Sequence, residues 1–239
     1  MTQDTAPGST RDGKDHKARA QLLYAAEVTT VTAAVSPNGS IASPHPHQPQ
    51  PFNIAIPPEE ASSQDSALIA HLTSLINRIY FESESTFWTP GFQRTNADEV
   101  RSYLDSRNLA LAWRGDASFS HHGDLATDLL GCVGVKMFAD EETGEFGMLA
   151  REPASKSTGV GSALLKFAEE EMRRRGARKM RLELLQGDGW RHEFKDWLEA
   201  WYSRNGYVLV KTEDVQKNWA FLVPLLARPA VMKVFIKEL

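Results

Sequence analysis

The stretch Lys156-Ser157-Thr158-Gly159-Val160-Gly161-Ser162 constrains this chain more than any other. It follows a strand-like run, Glu145 to Ala150, and opens a helical pattern that ends at Gly176. In that pattern Val160, Leu164, Phe167, Ala168 and Met172 form one apolar stripe. Backbone N–H groups at a helix start have no partners inside the helix, so several together make an anion site. Glycines at 159 and 161 remove Cβ atoms that would hold a phosphate away, and Lys156 adds positive charge. The order is wrong for a P-loop, because Lys-Ser-Thr precedes the glycines, and wrong for a dinucleotide fingerprint, because Leu164 takes the third glycine's place. On its chemistry alone the loop reads as a phosphate loop or as a plain helix N-terminus.

The elements around it define a mixed sheet. Phe52 to Ile56 is a short strand candidate. Leu68, Leu72, Leu75, Ile76 and Ile79 mark an amphipathic helix, and Asn96 with Glu99 reads as a capping box opening a second. Strands follow at Leu109–Trp113, Leu129–Phe138 and Glu145–Ala150, an antiparallel meander by its short connections. After the long helix come a strand at Met180–Leu184, a helix carrying Phe194, Trp197, Trp201 and Tyr202, and strands at Tyr207–Val210 and Val234–Ile236. Glu169/Arg173, Glu170/Arg174 and Glu171/Arg175 are spaced as i,i+4 pairs, which predicts a solvated helix face. The fold class is therefore α/β (α+β), with a mostly antiparallel sheet flanked by helices.

Domain organisation follows from composition. Residues 1–51 read as a flexible N-terminal arm: the start is polar, and Pro37, Pro44, Pro46, Pro49 and Pro51 forbid regular structure before residue 52. A β-prone run at 27–35 marks an extra edge strand within the arm. Residues 52–239 form one domain. The net charge of −4 offers no general attraction to nucleic acid or acidic membrane. No apolar segment approaches the length of a membrane span, and no secretory leader is evident, so the sequence reads as cytoplasmic or nuclear. The single cysteine, Cys132, lies in a strand and reads as packing. His45 and His47 fall in the proline-rich linker, His121 and His122 in a polar loop, and neither pair has a third ligand at metal-site spacing. No metal is expected.

Lys156-x-x-Gly159-x-Gly161 resembles the Arg/Gln-x-x-Gly-x-Gly/Ala motif of the GNAT acyltransferases, with Lys in place of Arg or Gln. Glu145 to Ala150 resembles the strand that precedes that motif, and Trp201-Tyr202-Ser203-Arg204-Asn205-Gly206-Tyr207 resembles the family's aromatic-Tyr-x-x-x-Gly-aromatic stretch. The likeness runs from about Phe52 to the C-terminus, and its wording is similar to that of a group of fungal members with unassigned substrates. It implies the N-acyltransferase fold, a twisted sheet whose central strands splay apart. It also implies acetyl-CoA as cosubstrate, held by Lys156, Ser157, Thr158, Gly159, Val160, Gly161 and Ser162 at the pyrophosphate and by backbone at Leu149, Ala150 and Arg151 along the pantetheine arm. The implied reaction is direct attack of a primary amine, small-molecule or peptide, on the thioester. Tyr202 matches the tyrosine that protonates the departing thiolate, and Glu145 stands where one branch carries its general base. Glu183 and His192 are weaker candidates. A monomer or homodimer is expected, and a catalytically silent CoA-binding or regulatory module is the alternative. Phe81, Phe87, Trp88, Phe92 and the Trp190 region read either as walls of an acceptor pocket or as core.

Overall fold

The computed structural model describes residues 29–31, 51–58, 65–115, 128–138 and 142–239. The rest of the arm and the loop with His121 and His122 lie outside the described residues. In chain order the elements are β1 (Thr29–Val31), β2 (Phe52–Ala55), α1 (Ser66–Glu84), α2 (Ala97–Asp105), β3 (Leu109–Arg114), β4 (Leu129–Phe138), β5 (Thr143–Arg151), α3 (Val160–Arg174), β6 (Lys179–Gly187), α4 (Glu193–Arg204), β7 (Val208–Asp214), α5 (Val215–Asn218) and β8 (Ala230–Glu238).

Local chemistry accounts for the boundaries. Asp65 caps α1, its carboxylate accepting from the N–H groups of Ala67 and Leu68. Asn96 caps α2 by accepting from Glu99 N–H, but Glu99 does not reach back. Its carboxylate takes Thr95 Oγ1 instead, at 2.8 Å, so half of the expected capping box forms. Tyr207 N–H returns to Tyr202 C=O at 3.1 Å and Gly206 has φ +89°, a left-handed stop to α4.

The sheet runs β1-β2-β3-β4-β5-β6-β8-β7. All neighbours are antiparallel except β5 and β6, which are parallel. Helices α3 and α4 cover one face through Val160, Leu164, Ala168, Met172 and Tyr202, packed on Phe146, Leu182, Leu184 and Phe235. Helices α1 and α2 cover the other through Leu68, Leu72, Leu75, Ile76, Val100 and Leu104, packed on Leu109, Leu111, Cys132 and Met148. A third cluster joins Phe87 to Leu185, Val215, Trp219, Met232 and Val234.

Two features of this frame position the site. First, β5 and β6 pair only at Thr143–Lys179, Gly144–Met180 and Glu145–Arg181, then part. Second, the β4–β5 register shifts between Cys132 and Gly134, and Met148 takes φ +46° at the bulge. A bulge bends and re-aims the strand beyond it. Gly131 lets the bent strand pass: a Cβ there would lie 2.6 Å from Ala150 O.

The charged run on α3 departs from expectation. Glu169 and Glu171 are buried, at 8 % and 7 % exposure. Glu169 accepts from Tyr207 Oη at 3.0 Å and pairs with Lys237 at 2.7 Å. Glu171 binds both Arg174 and Arg175, and Glu170 pairs with Lys166 rather than Arg174. Of the three i,i+4 pairs expected from spacing, Glu171–Arg175 forms; the sheet's last strand claims Glu169 because its carboxylate faces inward.

Candidate functional site

The loop between β5 and α3 is built to leave donors free. A 3-10 turn at Pro153–Ser155 is followed by Ser157 at φ +66° and Gly159 at φ +87°, and α3 begins at Val160. A left-handed serine is uncommon enough to point to a local demand on the backbone. Thr158 N–H closes on Ser155 C=O, and Ala163 N–H is the first of the helix to find a carbonyl, that of Gly159. Among the described residues the N–H groups of Ser157, Gly159, Val160, Gly161 and Ser162 make no hydrogen bond. A Cβ at Gly161 would meet only Arg151 Cδ, at 3.9 Å, so that glycine is not demanded by packing.

Two cations flank these donors. Lys156 is exposed and forms no ion pair among the described residues. Arg151 is half-buried, donates to Glu152 C=O at 3.1 Å and has no carboxylate partner; burial lowers its pKa. Five free N–H groups, open space over Gly161 and two uncompensated cations fit a polyphosphate.

Across the parted strands stands Tyr202. Its ring packs against Phe146 at 5.8 Å and Trp201 at 5.1 Å, and the residue is 7 % exposed. Its hydroxyl forms no hydrogen bond within the described residues, yet no fully buried side-chain polar atom there lacks one, so the hydroxyl reaches accessible space. Burial raises its pKa above that of an ordinary phenol, with Tyr80 and Glu84 adding to the effect. Those two belong to α1, which covers the other face of the sheet. Tyr207, five residues on, is different: its hydroxyl is spent on Glu169.

Glu145 sits at the apex where β5 and β6 part, and its carboxylate is fully engaged. Oε1 pairs with Lys136 at 2.7 Å and Oε2 with Arg181. Arg181 also holds Glu183, whose other oxygen accepts from Trp219 Nε1 at 2.9 Å. Each oxygen of Glu145 thus carries an ion pair, whereas Glu183 has one oxygen on Arg181 and the other on the Trp219 indole. His192 is also committed: Nδ1 accepts from Lys195 N–H at 3.3 Å as the α4 cap, and burial with Lys195 lowers its pKa. An accepting Nδ1 leaves the proton on Nε2.

Sequence reasoning did not find the Lys195–Glu84 pair or Arg94. Lys195 and Glu84 form an ion pair buried to 4 % and 8 % side-chain exposure, 111 residues apart in the chain. Arg94 lies in the unpatterned segment between α1 and α2, where it lines one cavity with Phe81, Trp88 and Phe92, three of the residues read as pocket walls or core. Phe87, by contrast, is core, 0 % exposed, against Trp190 and His192. Among the described residues no group of three or more His, Cys, Asp or Glu is arranged to hold a metal. No helix there is long and apolar enough to cross a membrane.

Comparison with known proteins agrees with this geometry. The acetyltransferase (GNAT) family model matches residues 77–193, a span that holds the loop and ends before Tyr202. No curated protein matches the sequence. Among solved structures, that of the NatC complex bound to Gag peptide and CoA superposes with TM-score 0.53 at 14 % identity, over 79 % of this chain and 98 % of that one. An aminoglycoside 6'-N-acetyltransferase complexed with coenzyme A superposes with TM-score 0.50 at 16 % identity, over 73 % and 92 %. At such identities the superpositions speak for the fold, and the family match speaks for descent. By its match to the family model over residues 77–193 and by the fold it shares with these structures, this chain is similar to the acetyltransferases of the GNAT family.

Proposed function

We propose that this chain transfers an acetyl group from acetyl-CoA to a primary amine. The observation that carries the reading is the row of unpartnered N–H groups from Ser157 to Ser162, set beside the gap between β5 and β6. The two similar structures named above hold CoA, which is consistent with a CoA phosphate on that loop. In this reading Gly159, Val160, Gly161 and Ser162 donate to the pyrophosphate, with Ser157 and Thr158 shaping the turn. Lys156 and Arg151 neutralise its charge. The β5 backbone at Leu149, Ala150 and Arg151, unpaired with β6, borders the pantetheine arm.

The chemistry asked of the protein is modest. The amine nitrogen attacks the thioester carbonyl, the C–N bond forms, and the C–S bond breaks. The nitrogen loses a proton to solvent, and the thiolate gains one. Alignment of the two reactants supplies much of the rate. Tyr202, kept protonated by burial, is the group that can donate to the sulfur as charge develops there. Glu145 fixes the apex of the opening, and solvent takes the amine's proton.

The test is thermal unfolding with acetyl-CoA, free CoA and ATP, followed by release of CoA thiol in the presence of a panel of amines. Stabilisation by both CoA species and not by ATP, with thiol release for one amine class, is expected. Stabilisation without turnover of any amine would identify a silent CoA-binding module. No stabilisation would withdraw the reading altogether.

A further inference from the structure

Helix α4 carries an aromatic row that its own packing does not explain. Phe194, Trp197 and Trp201 succeed one another with ring centroids 5.9 and 6.0 Å apart and planes within 14° and 5° of parallel. Trp201 is half-buried against Tyr202, but Phe194 and Trp197 are 39 % and 53 % exposed. Neighbouring exposed aromatics form an apolar patch of the kind that marks a binding surface.

Which way the row faces follows from the sheet. Its order is β5-β6-β8, so β8 and β5 lie on opposite sides of β6. On α4, Glu199 reaches Lys233 of β8 at 2.7 Å. At about 100° per residue, Trp197 and Trp201 stand about 200° round the helix from Glu199, and Phe194 about 140°. The row therefore lies on the flank turned away from β8 and toward β5. Helix α3 lies chiefly over β4 and β5, and α4 over β6. That flank thus looks across the parting of β5 and β6 toward α3.

Chain direction says which end of the row meets the phosphate loop. Strands β5 and β6 are parallel, and β6 and β7 both pair antiparallel with β8. Helices α3 and α4 each return the chain between strands of like direction, so their N-termini share one edge of the sheet. At that edge stand the donors from Gly159 to Ser162 on α3, and Phe194 and Trp197 on α4. Trp201 and Tyr202 stand further in. A cofactor with its pyrophosphate on the loop sends its thiol arm inward past Trp201 and keeps its base at the edge, beside Phe194 and Trp197.

We infer that Trp197, flanked by Phe194, stacks on the adenine of CoA, and that this contact makes the protein read the nucleotide end of its donor. The donor class is then a free acyl-CoA, and not an acyl-phosphopantetheine borne by a carrier protein, which has the same thiol arm and a phosphate but no base. The parallel planes suit this use, because a purine laid on Trp197 is aligned with its aromatic neighbours as well. Stacking of a base on an aromatic side chain is worth about 5- to 100-fold in affinity.

The inference rests on the CoA site proposed above, and its test separates the two. Titration calorimetry with CoA, 3′-dephospho-CoA and 4′-phosphopantetheine compares wild type with Trp197→Ala and Trp197→Phe, each first shown to unfold as the wild type does. Wild type should bind CoA about tenfold or more tighter than 4′-phosphopantetheine. Trp197→Ala should weaken CoA and 3′-dephospho-CoA alike, by about 5- to 100-fold, and leave 4′-phosphopantetheine unchanged. Trp197→Phe should restore most of the loss. Equal affinity of the wild type for CoA and 4′-phosphopantetheine, undiminished CoA binding by Trp197→Ala, or an equal loss for every ligand would overturn the inference and leave the CoA site standing. A wild type that binds none of these ligands would instead withdraw the CoA reading, and the inference with it.

Discussion

Gly161→Asp should make the free protein more stable and abolish its response to CoA. Gly161 is the second residue of α3 and has an ordinary helical backbone, so a side chain is allowed there. Replacing a helical glycine gains about 0.5–1 kcal/mol in backbone entropy. An acid in the first turn gains about 0.3–1 kcal/mol more against the helix dipole. The Cβ meets nothing closer than Arg151 Cδ at 3.9 Å, so packing takes nothing back. For a domain of this size the sum corresponds to a rise of roughly 2–8 °C in melting temperature. Binding moves the other way. A carboxylate over the loop blocks the N–H groups of Gly161 and Ser162 and repels phosphate. Two hydrogen bonds to a charged group are worth about 3–6 kcal/mol together, about 10²- to 10⁴-fold in affinity. In thermal unfolding, acetyl-CoA at about a hundred times its wild-type Kd should raise the wild-type midpoint by roughly 5–10 °C and the variant's by no more than about 1–2 °C. Gly161→Ala separates size from charge, with a similar gain in stability and a smaller loss of binding. A variant several degrees less stable without ligand would make Gly161 a packing residue. An undiminished response to acetyl-CoA would remove the phosphate from this loop.

The other expectations are smaller in scope. Tyr202→Phe should fold normally, within about 0.5 kcal/mol, since its hydroxyl bonds nothing, and should lower kcat about a hundredfold with acetyl-CoA affinity unchanged; parallel losses in both, or none, would reject the acid role. Lys195→Met leaves Glu84 charged and buried and should cost about 3–5 kcal/mol in urea unfolding, while adding Glu84→Leu should recover most of it; a mild single variant would mean that Glu84 finds water. Cys132 is 0 % exposed and burial pushes its thiol up to about 12. The folded chain therefore holds that proton more tightly than the unfolded one. This stability is whole below the unfolded pKa of about 8.5, and is lost at up to about 1.4 kcal/mol per unit as pH climbs from there toward the folded value. Chemical unfolding at pH 8 and pH 10.5 should show the decline, and a thiol reagent should label Cys132 in denaturant but not in buffer.

What the sequence made legible is what rests on period and punctuation. The apolar stripe of α3, the cap at Asn96 and the stop at Gly206 are local, and all lie where spacing put them. The place at which β5 and β6 part is not local. It depends on which pairs across two strands separated by α3 keep their hydrogen bonds, and nothing in Glu145–Ala150 announces the bulge at Met148. The Glu/Arg run of α3 misleads for a related reason: helical spacing says which residues are neighbours, not which face the last strand will cover. Glu169 faces inward, where Tyr207 and Lys237, both far along the chain, bind its carboxylate. Arg94 was invisible because a single cation between aromatic residues has no period to betray it.

Tyr202 and Glu145 show how far a position in a pattern reaches. Both were singled out because of where they stand in a likeness, and the structure brings both to the opening in the sheet. Their surroundings divide them. Tyr202 keeps an idle hydroxyl at the edge of accessible space, and burial holds its proton on. Glu145 is gripped from both sides by Lys136 and Arg181, residues that pair with it across β4 and β6 in the same register. A base must be able to let go of what it holds. Here the ion pairs join three adjacent strands at the point where two of them begin to diverge. A carboxylate so placed is suited to hold the width of the opening, and through it, in the reading proposed above, the seating of acetyl-CoA.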